Sequence, residues 1–467
     1  MNNTIKVDIA IIGAGSAGLS LAAGAAQLGL KVALIEKAKM GGDCLNYGCV
    51  PSKSFLSAAK KVWRNRQNEF LKTEKAELNF EKVMAHVQQV INTIAPNDSQ
   101  ERFEGLGVKL IKAKAEFIDR KTLKAGEDLI KAKKMVIATG SKPLIPEITG
   151  LEKIKYYTNE SIFSIKHLPE HLIILGAGPM GAELAQAFCF LGSKVSLVSR
   201  DTLLAREDKE CTTVLREQLQ KNGVILYELT KIESIMKSGS NVTVNFIDNS
   251  SIEGSELLIA TGRHVDLTEL KLDKAGVSYS EYGVDVDKRL RTNVKNIYAM
   301  GDAIGEFQYT HAANYDAGIL LKNLCFKIPA KVNYNAMPRV TYTYPELAHV
   351  GMATDGVNEK KYQLSILDFS ENDRAQCESL TIGKIRVVTD KKGYIKGVSM
   401  IAANAGELIL PWIMAIRENK SLRSFTDVTV PYPTLSESSK AVAAQFYKPK
   451  LFSRPVKTIV KLLSKVV

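Results

Sequence analysis

The chain is poor in both cysteine and histidine, with six of each in 467 residues. So few cysteines (44, 49, 189, 211, 325 and 377) exclude a disulfide scaffold and fit a reducing compartment that leaves room for one reactive pair. No Cys-x-x-Cys occurs, no cysteine follows Cys377 and no histidine follows His349. No apolar run reaches the roughly 18 residues a membrane-spanning helix needs, windows such as Leu408 to Ile416 stopping well short. The N-terminus enters its first strand without a signal-like apolar segment, so the main body is expected to be cytoplasmic. Basic and aromatic residues are not interleaved as in nucleic-acid modules, and no metal site is assigned. What remains, 45% hydrophobic and 7% aromatic, suits a soluble protein of about three domains.

The first thing present is a phosphate-binding pattern. Val7 to Ile12 is a short β-rich run ending in Gly13-Ala14-Gly15-Ser16-Ala17-Gly18, followed by a helical pattern through Leu28 and a second strand, Lys31 to Ile35. In this βαβ unit Gly13 allows the tight turn, Gly15 lets the backbone approach a pyrophosphate, and Gly18 lets helix pack on strand. Glu36, 23 residues after Gly13, stands where a carboxylate accepts hydrogen bonds from a ribose.

The pattern returns as Leu172 to Leu175, Gly176-Ala177-Gly178-Pro179-Met180-Gly181, a helix through Leu191 and the strand Lys194 to Val198. Each half also closes on a strand and turn, Val136 to Gly140 and Leu258 to Gly262, both ending in Ala-Thr-Gly. Two complete units predict two dinucleotide sites in a duplicated α/β architecture. In the second, the position 23 residues after Gly176 is Ser199 rather than an acid, followed by Arg200 and, later, Arg206. Nothing there repels a 2′-phosphate and two arginines can bind it, which favours NADPH over NADH.

Just downstream of the first unit lies Gly41-Gly42-Asp43-Cys44-Leu45-Asn46-Tyr47-Gly48-Cys49-Val50-Pro51-Ser52-Lys53. In an unbroken helix these cysteines would have Cα atoms roughly 8 to 9 Å apart, beyond disulfide reach, so the segment must start irregularly. Gly48 permits the distortion and Pro51 suits a first helical turn. The spacing alone leaves a redox-active disulfide, a buried thiol pair and a metal site open.

Asn296 to Asp302 then reads as a strand and turn ending in an acid, and Thr310-His311-Ala312-Ala313 as the start of a helix. From about Pro338, strand-like segments (Thr341 to Tyr344, Lys384 to Thr389) alternate with an amphipathic helix, Gly406 to Glu418, without phosphate loops, as expected of a separate α+β domain. The net charge of +13 is concentrated at the end, where Lys448 to Val467 holds six basic and no acidic residues. Phe452, Val456, Ile459, Val460, Leu463 and Val467 recur at helical spacing opposite Lys457, Lys461 and Lys465. This is a basic amphipathic helix that either lies on an anionic membrane or docks on the body or a partner.

Together the two fingerprints, Gly41 to Lys53, the Ala-Thr-Gly turns, Gly301-Asp302 and Tyr432-Pro433-Thr434-Leu435-Ser436-Glu437 resemble the pyridine nucleotide-disulfide oxidoreductases from about residue 6 to 447. Arg200 to Asp208 is most similar to the mercuric reductase branch, beside dihydrolipoyl dehydrogenase and glutathione reductase. The resemblance implies two Rossmann-like domains, for FAD (residues 1–150 and 265–335) and NAD(P) (151–264), a C-terminal α+β dimerisation domain (336–447) that builds a homodimer, and a tail (448–467). It implies a redox-active disulfide whose inner member, Cys49, faces the flavin and whose outer member, Cys44, exchanges with substrate. Lys53 with Glu183 would tune the flavin, and Tyr432 and Glu437 would face the substrate. The remaining cofactor-binding set is Gly13, Gly15, Ser16, Gly18, Glu36, Lys37, Gly42, Asp43, Ala115, Thr139, Gly140, Gly301, Asp302, Thr310 and Ala312, with Gly176, Gly178, Gly181, Ser199, Arg200, Arg206 and Gly262.

The departures narrow the function. Family disulfide reductases place a histidine before Pro-Thr as acid and base for the outer thiol; here that position is Tyr432, although Glu437 remains. A phenol with a pKa near 10 is a poor base at neutral pH, so dithiol turnover should be slow. The paired-cysteine tail and Cys-x-x-Cys module of mercuric reductases are also missing. The expectation is electron transfer from NADPH through FAD to a small acceptor, mercuric reductase-like or dihydrolipoyl dehydrogenase-like. The alternatives are a membrane-associated quinone or Cu(II) reductase, a flavin-bearing redox sensor, and a lesser role for His311 as a substitute proton donor.

Overall fold

The structure, a computed structural model, describes residues 4–68, 70 and 77–465; Val467, counted in the tail's apolar stripe, lies outside them. It divides into two compact units, Met1–Gly176 with Phe190–Val198 and Lys231–Asn333, and Ala177–Cys189 with Ser199–Thr230 and Tyr334–Val467.

The first unit is built on β1 (Thr4–Ile12), whose Val/Ile-rich second half is buried on both faces, as a central parallel strand requires. It pairs in parallel with β2 (Val32–Glu36) on one side and with Asp128–Ile137 on the other. Lys109–Lys112 and Ile297–Ala299 extend the parallel core, and Ala115–Asp119 and Thr122–Ala125 close it as an antiparallel meander. Helix α1 (Ser16–Gln27) crosses from β1 to β2, as the fingerprint predicts. Ala17, Leu21, Ala22 and Ala25 share one core with Ala313, Ala317 and Leu320, small side chains that bring a later helix close. In the second nucleotide unit, His171–Leu175 pairs in parallel with Lys194–Val198 and Glu256–Ile259.

The second unit has a five-stranded antiparallel sheet ordered Arg339–Thr341, Glu346–Gly351, Ile395–Ala402, Lys384–Asp390 and Tyr362–Asp368. Helices Leu410–Arg417 and Glu437–Leu451 contribute Trp412, Val442 and Phe446 to its core. Trp412 is fully buried and stacks on Phe425 at 4.1 Å, a geometry adding about 1 kcal/mol to its burial. Thr341 to Tyr344, read as a strand, leaves the ladder at Thr341. The reason is competition: Tyr342 N–H donates to Glu183 Oε1 (2.8 Å) and Tyr344 N–H to Gln186 Oε1 (2.6 Å), both on helix Pro179–Leu191. Gly406 to Glu418 forms two helices rather than one, Ala405–Leu408 and Leu410–Arg417. The tail forms helix Arg454–Leu463 with none of its residues buried.

Candidate functional site

The cysteine segment breaks where the disulfide argument requires. Helix α2 (Gly42–Asn46) carries Cys44, Tyr47 and Gly48 leave helical geometry, and α3 (Cys49–Arg66) starts on Cys49 itself. Gly48 serves through space rather than a left-handed φ: a Cβ there would lie 2.8 Å from Asp43 Oδ2. Gly42, with φ of +56°, packs so tightly that a Cβ would lie 2.6 Å from Gly15 Cα, which binds the cysteine loop to the phosphate loop.

Both cysteines are free thiols, so the structure presents the dithiol partner of the expected disulfide couple. Cys49 Sγ lies 3.2 Å from Thr310 Oγ1, and Thr310 is the first residue of α4 (Thr310–Leu324). The pair is electrostatically unequal. A hydrogen bond from Cys44 holds the Cys49 thiol down at about 6, aided by the Thr310 hydroxyl and the Lys53 charge and opposed by burial and Asp43. Cys44 is pushed far up, first because its proton is given to Cys49 and then by burial, although the Thr310 and Ser16 hydroxyls pull the other way. One proton therefore resides on Cys44 and the thiolate on Cys49. The contacts of Thr310 and Ser16 with sulfur are additions to their expected cofactor roles.

The surroundings fit a flavin nucleotide. Gly13 sits at φ +107°, and a Cβ there would lie 2.3 Å from Ala138 O. At Gly15 a Cβ would meet nothing nearer than Gly42 Cα at 4.0 Å, so the fingerprint keeps an open cradle at the start of α1, which has no side-chain cap. Gly18 packs onto the Gly13 carbonyl, as its helix-packing role predicts. Thr139 Oγ1 is buried without a partner, a hydroxyl in need of a ligand atom. Glu36 accepts from Ala14 N and Ala38 N, each at 2.7 Å, and lines a cavity of about 280 Å³ with Lys39, Met40, Gln100 and Lys112. Ala115 is buried at the start of its strand. Lys37 is engaged by Glu269, which also pairs with Lys114 at 2.8 Å.

An arginine absent from the sequence reading organises the far side. Arg263 donates from Nε to Ser141 Oγ (2.7 Å) and from Nη2 to Ser141 O (3.0 Å), and lies 3.4 Å from Asp43 Oδ2 and 3.8 Å from Asp302 Oδ2. Ser141 in turn donates to Asp302 (2.6 Å), and Asn159 to Asp43 (2.8 Å). Burial raises the Asp302 carboxyl despite Ser141 and Arg263. Gly140 and Gly262 are the turns that present Ser141 and Arg263; Gly301 N–H donates to buried Asp316 (3.0 Å), and Ala312 is buried in α4. The one available signal for Arg263 was its place directly after the second Ala-Thr-Gly. His311 stacks on Tyr309 with centroids 5.2 Å apart and stays exposed.

At the second fingerprint Gly176 repeats the geometry of Gly13, at φ +108° against Ala260 O, and Gly178 repeats the openness of Gly15. Gly181 and Glu183 lie in helix Pro179–Leu191, Glu183 buried with Tyr342 N–H on one oxygen. Ser199 Oγ accepts from Asp201 N (3.1 Å), while Arg200 and Arg206 are exposed.

Tyr432 and Glu437 do not pair. The Tyr432 phenol donates to Asp373 Oδ2 (3.1 Å), an acid that nothing local in the sequence indicates, and this bond raises its pKa above the ordinary tyrosine value. Glu437 Oε2 accepts from Thr434 N (3.3 Å).

A sequence profile of the pyridine nucleotide-disulphide oxidoreductases matches residues 7–317, and one of their dimerisation domain matches 337–443. A mercuric reductase of Lysinibacillus sphaericus is 31% identical over 456 residues, covering 96% of this chain and 84% of that one. A dihydrolipoyl dehydrogenase of Bacillus subtilis (strain 168) is 31% identical over 450 residues, covering 92% of this chain and 96% of that one. Among solved structures, the Cu(II) complex of the HOCl-induced flavoprotein disulfide reductase RclA of Escherichia coli superimposes with a TM-score of 0.86 at 28% identity, covering 95% of this chain and 100% of that one.

Proposed function

This chain belongs to the pyridine nucleotide-disulphide oxidoreductases, and from that premise we propose that it passes electrons from NADPH to a thiophilic metal ion, Hg(II) being the type substrate. It is an FAD-dependent enzyme that draws on NAD(P)H and works through a redox-active disulfide, and its dimerisation domain supports a homodimer. FAD, when bound, supplies a two-electron relay between the nicotinamide and the thiol pair.

The chain's own residues define the rest. Gly13, Gly15, Gly18, Glu36 and Thr139 hold the flavin nucleotide, Arg263 and Asp302 its ribityl side, and Gly176, Gly178, Ser199, Arg200 and Arg206 the NADPH. The domain limits proposed are those the resemblance implies: 1–150 with 265–335, 151–264 and 336–447. Cys44 is the outer thiol, Cys49 the inner thiolate stabilised by Thr310 and Lys53, and Glu183 the acid that balances Lys53. NADPH and one proton convert the Cys44–Cys49 disulfide to dithiol and NADP⁺; the two sulfurs lose their two protons as they bind the soft cation, and a second NADPH with one proton takes Hg(II) to Hg(0) and restores the dithiol, so that each turnover releases one proton net.

The observation that supports a metal over a disulfide acceptor is Tyr432. Its proton is held by Asp373, which makes the phenol a still poorer base for the proton of an incoming dithiol. Steady-state NADPH oxidation with Hg(II), Cu(II), lipoamide, glutathione disulfide and quinones tests the reading, with NADH as the alternative donor and Cys44→Ser as control. Fastest turnover with Hg(II) and NADPH, lost in Cys44→Ser, supports it. Preference for lipoamide or glutathione disulfide refutes the acceptor, and equal use of NADH refutes the role of Arg200 and Arg206.

A further inference from the structure

We propose that residues 448–465 are a peripheral anchor that lays helix Arg454–Leu463 on an anionic lipid surface. The proposal stands apart from the acceptor, because it rests on residues at the other end of the sequence.

Burial in the last domain ends abruptly. Helix Glu437–Leu451 is fixed in the core by Val442, Ala443 and Phe446, and none of the described residues after Phe446 is buried. The dimerisation-domain match likewise stops at residue 443. Pro449 and the extended Ser453 (φ −67°, ψ 155°) then set the tail helix off as a separate element. No residue of that helix is buried, and Leu451, Phe452, Ile459, Val460, Leu462 and Leu463 are each more than half exposed. Six large apolar side chains left in water within thirteen residues form an interaction surface.

The distribution of charge identifies the occupant. At about 100° per residue, Val456, Ile459, Val460 and Leu463 fall within one third of the circumference of helix Arg454–Leu463, Arg454, Lys457 and Lys461 fall opposite, and Lys465 follows just beyond its end. With Lys448 and Lys450 that makes six cations and no acid. A protein groove would cover the apolar stripe but leave the opposite cations in water. A lipid surface meets both: the stripe enters the acyl boundary, and the lysines, whose long stems reach back to the interface, meet anionic headgroups. A ten-residue helix is a weak anchor alone, but a homodimer carries two, and the second binds at high effective concentration.

The test is sedimentation of the full-length, flavin-loaded protein with phosphatidylcholine vesicles and with vesicles of equal parts phosphatidylcholine and phosphatidylserine. The protein should pellet with the mixed vesicles only and be released by high salt. Ile459→Asp with Leu463→Asp should lower binding by at least ~tenfold, as should Lys457→Glu with Lys461→Glu, both leaving NADPH turnover in solution intact. No pelleting of the native protein, equal pelleting with pure phosphatidylcholine, or native-like pelleting of either double variant overturns the proposal. So does conversion of the aspartate variant from dimer to monomer, which would make the stripe a subunit contact.

Discussion

The Cys49 sulfur and the Thr310 hydroxyl meet at 3.2 Å across 261 residues of sequence, each belonging to the first residue of a helix. Two helix N-termini thus converge on one sulfur, and their dipoles favour negative charge there as the hydrogen bond from Cys44 does.

The reduced enzyme should therefore hold a thiolate on Cys49 at neutral pH. A thiol held below its ordinary value loses its proton as pH rises through about 6, so iodoacetamide labelling of Cys49, followed by mass spectrometry, should rise through that point. Cys44→Ala should move the midpoint upward, since the Cys44 hydrogen bond is the largest cause. Thr310→Val should move it upward by less. A midpoint unchanged in Cys44→Ala would contradict the shared proton.

The phosphate cradle can be separated from the fold. Gly15→Ala places its methyl in open space, so the apo chain should fold with near-native Tm while flavin affinity falls by at least ~tenfold. Gly13→Ala places it 2.3 Å from a carbonyl at a φ of +107°, and should lower Tm whether or not flavin is present. Thermal melts with flavin fluorescence distinguish the two.

Arg263→Ala should cost about 2 kcal/mol, because Ser141 loses the two bonds it accepts and Asp43 and Asp302 lose a nearby cation. Urea denaturation measures this, and flavin retention on dialysis should fall in parallel. Arg263→Lys should recover charge but not the paired bonds to Ser141, and so restore the protein only in part.

Tyr432→His should introduce the missing base. Lipoamide turnover should rise by at least ~tenfold, since positioned acid–base groups contribute roughly 10²- to 10⁴-fold, with the gain falling as pH drops below the imidazole pKa. An unchanged lipoamide rate would mean that Tyr432 is not what limits dithiol exchange.

The parts of this molecule that are local in sequence were legible from it. Gly13, Gly15 and Gly18 act within one turn, the Gly48 break follows from disulfide geometry, and the tail helix from its periodicity. Arg263 and Asp373 were not legible, because their meaning lies in partners that only the fold supplies: Ser141 is 122 residues from Arg263, and Tyr432 is 59 from Asp373. The strand misread at Thr341 to Tyr344 failed for a related reason. Its backbone N–H groups are taken by Glu183 and Gln186, about 160 residues away, and no β propensity reports that competition.

The proposed function requires Cys44 and Cys49 to be the redox couple that NADPH reduces. The direct measurement is anaerobic addition of one equivalent of NADPH to the oxidised, flavin-loaded enzyme, with thiol counting and a long-wavelength absorption scan. Two new thiols per chain and a band that is absent in Cys49→Ser are expected; flavin reduction with no new thiols, or a band that survives Cys49→Ser, would rule the couple out.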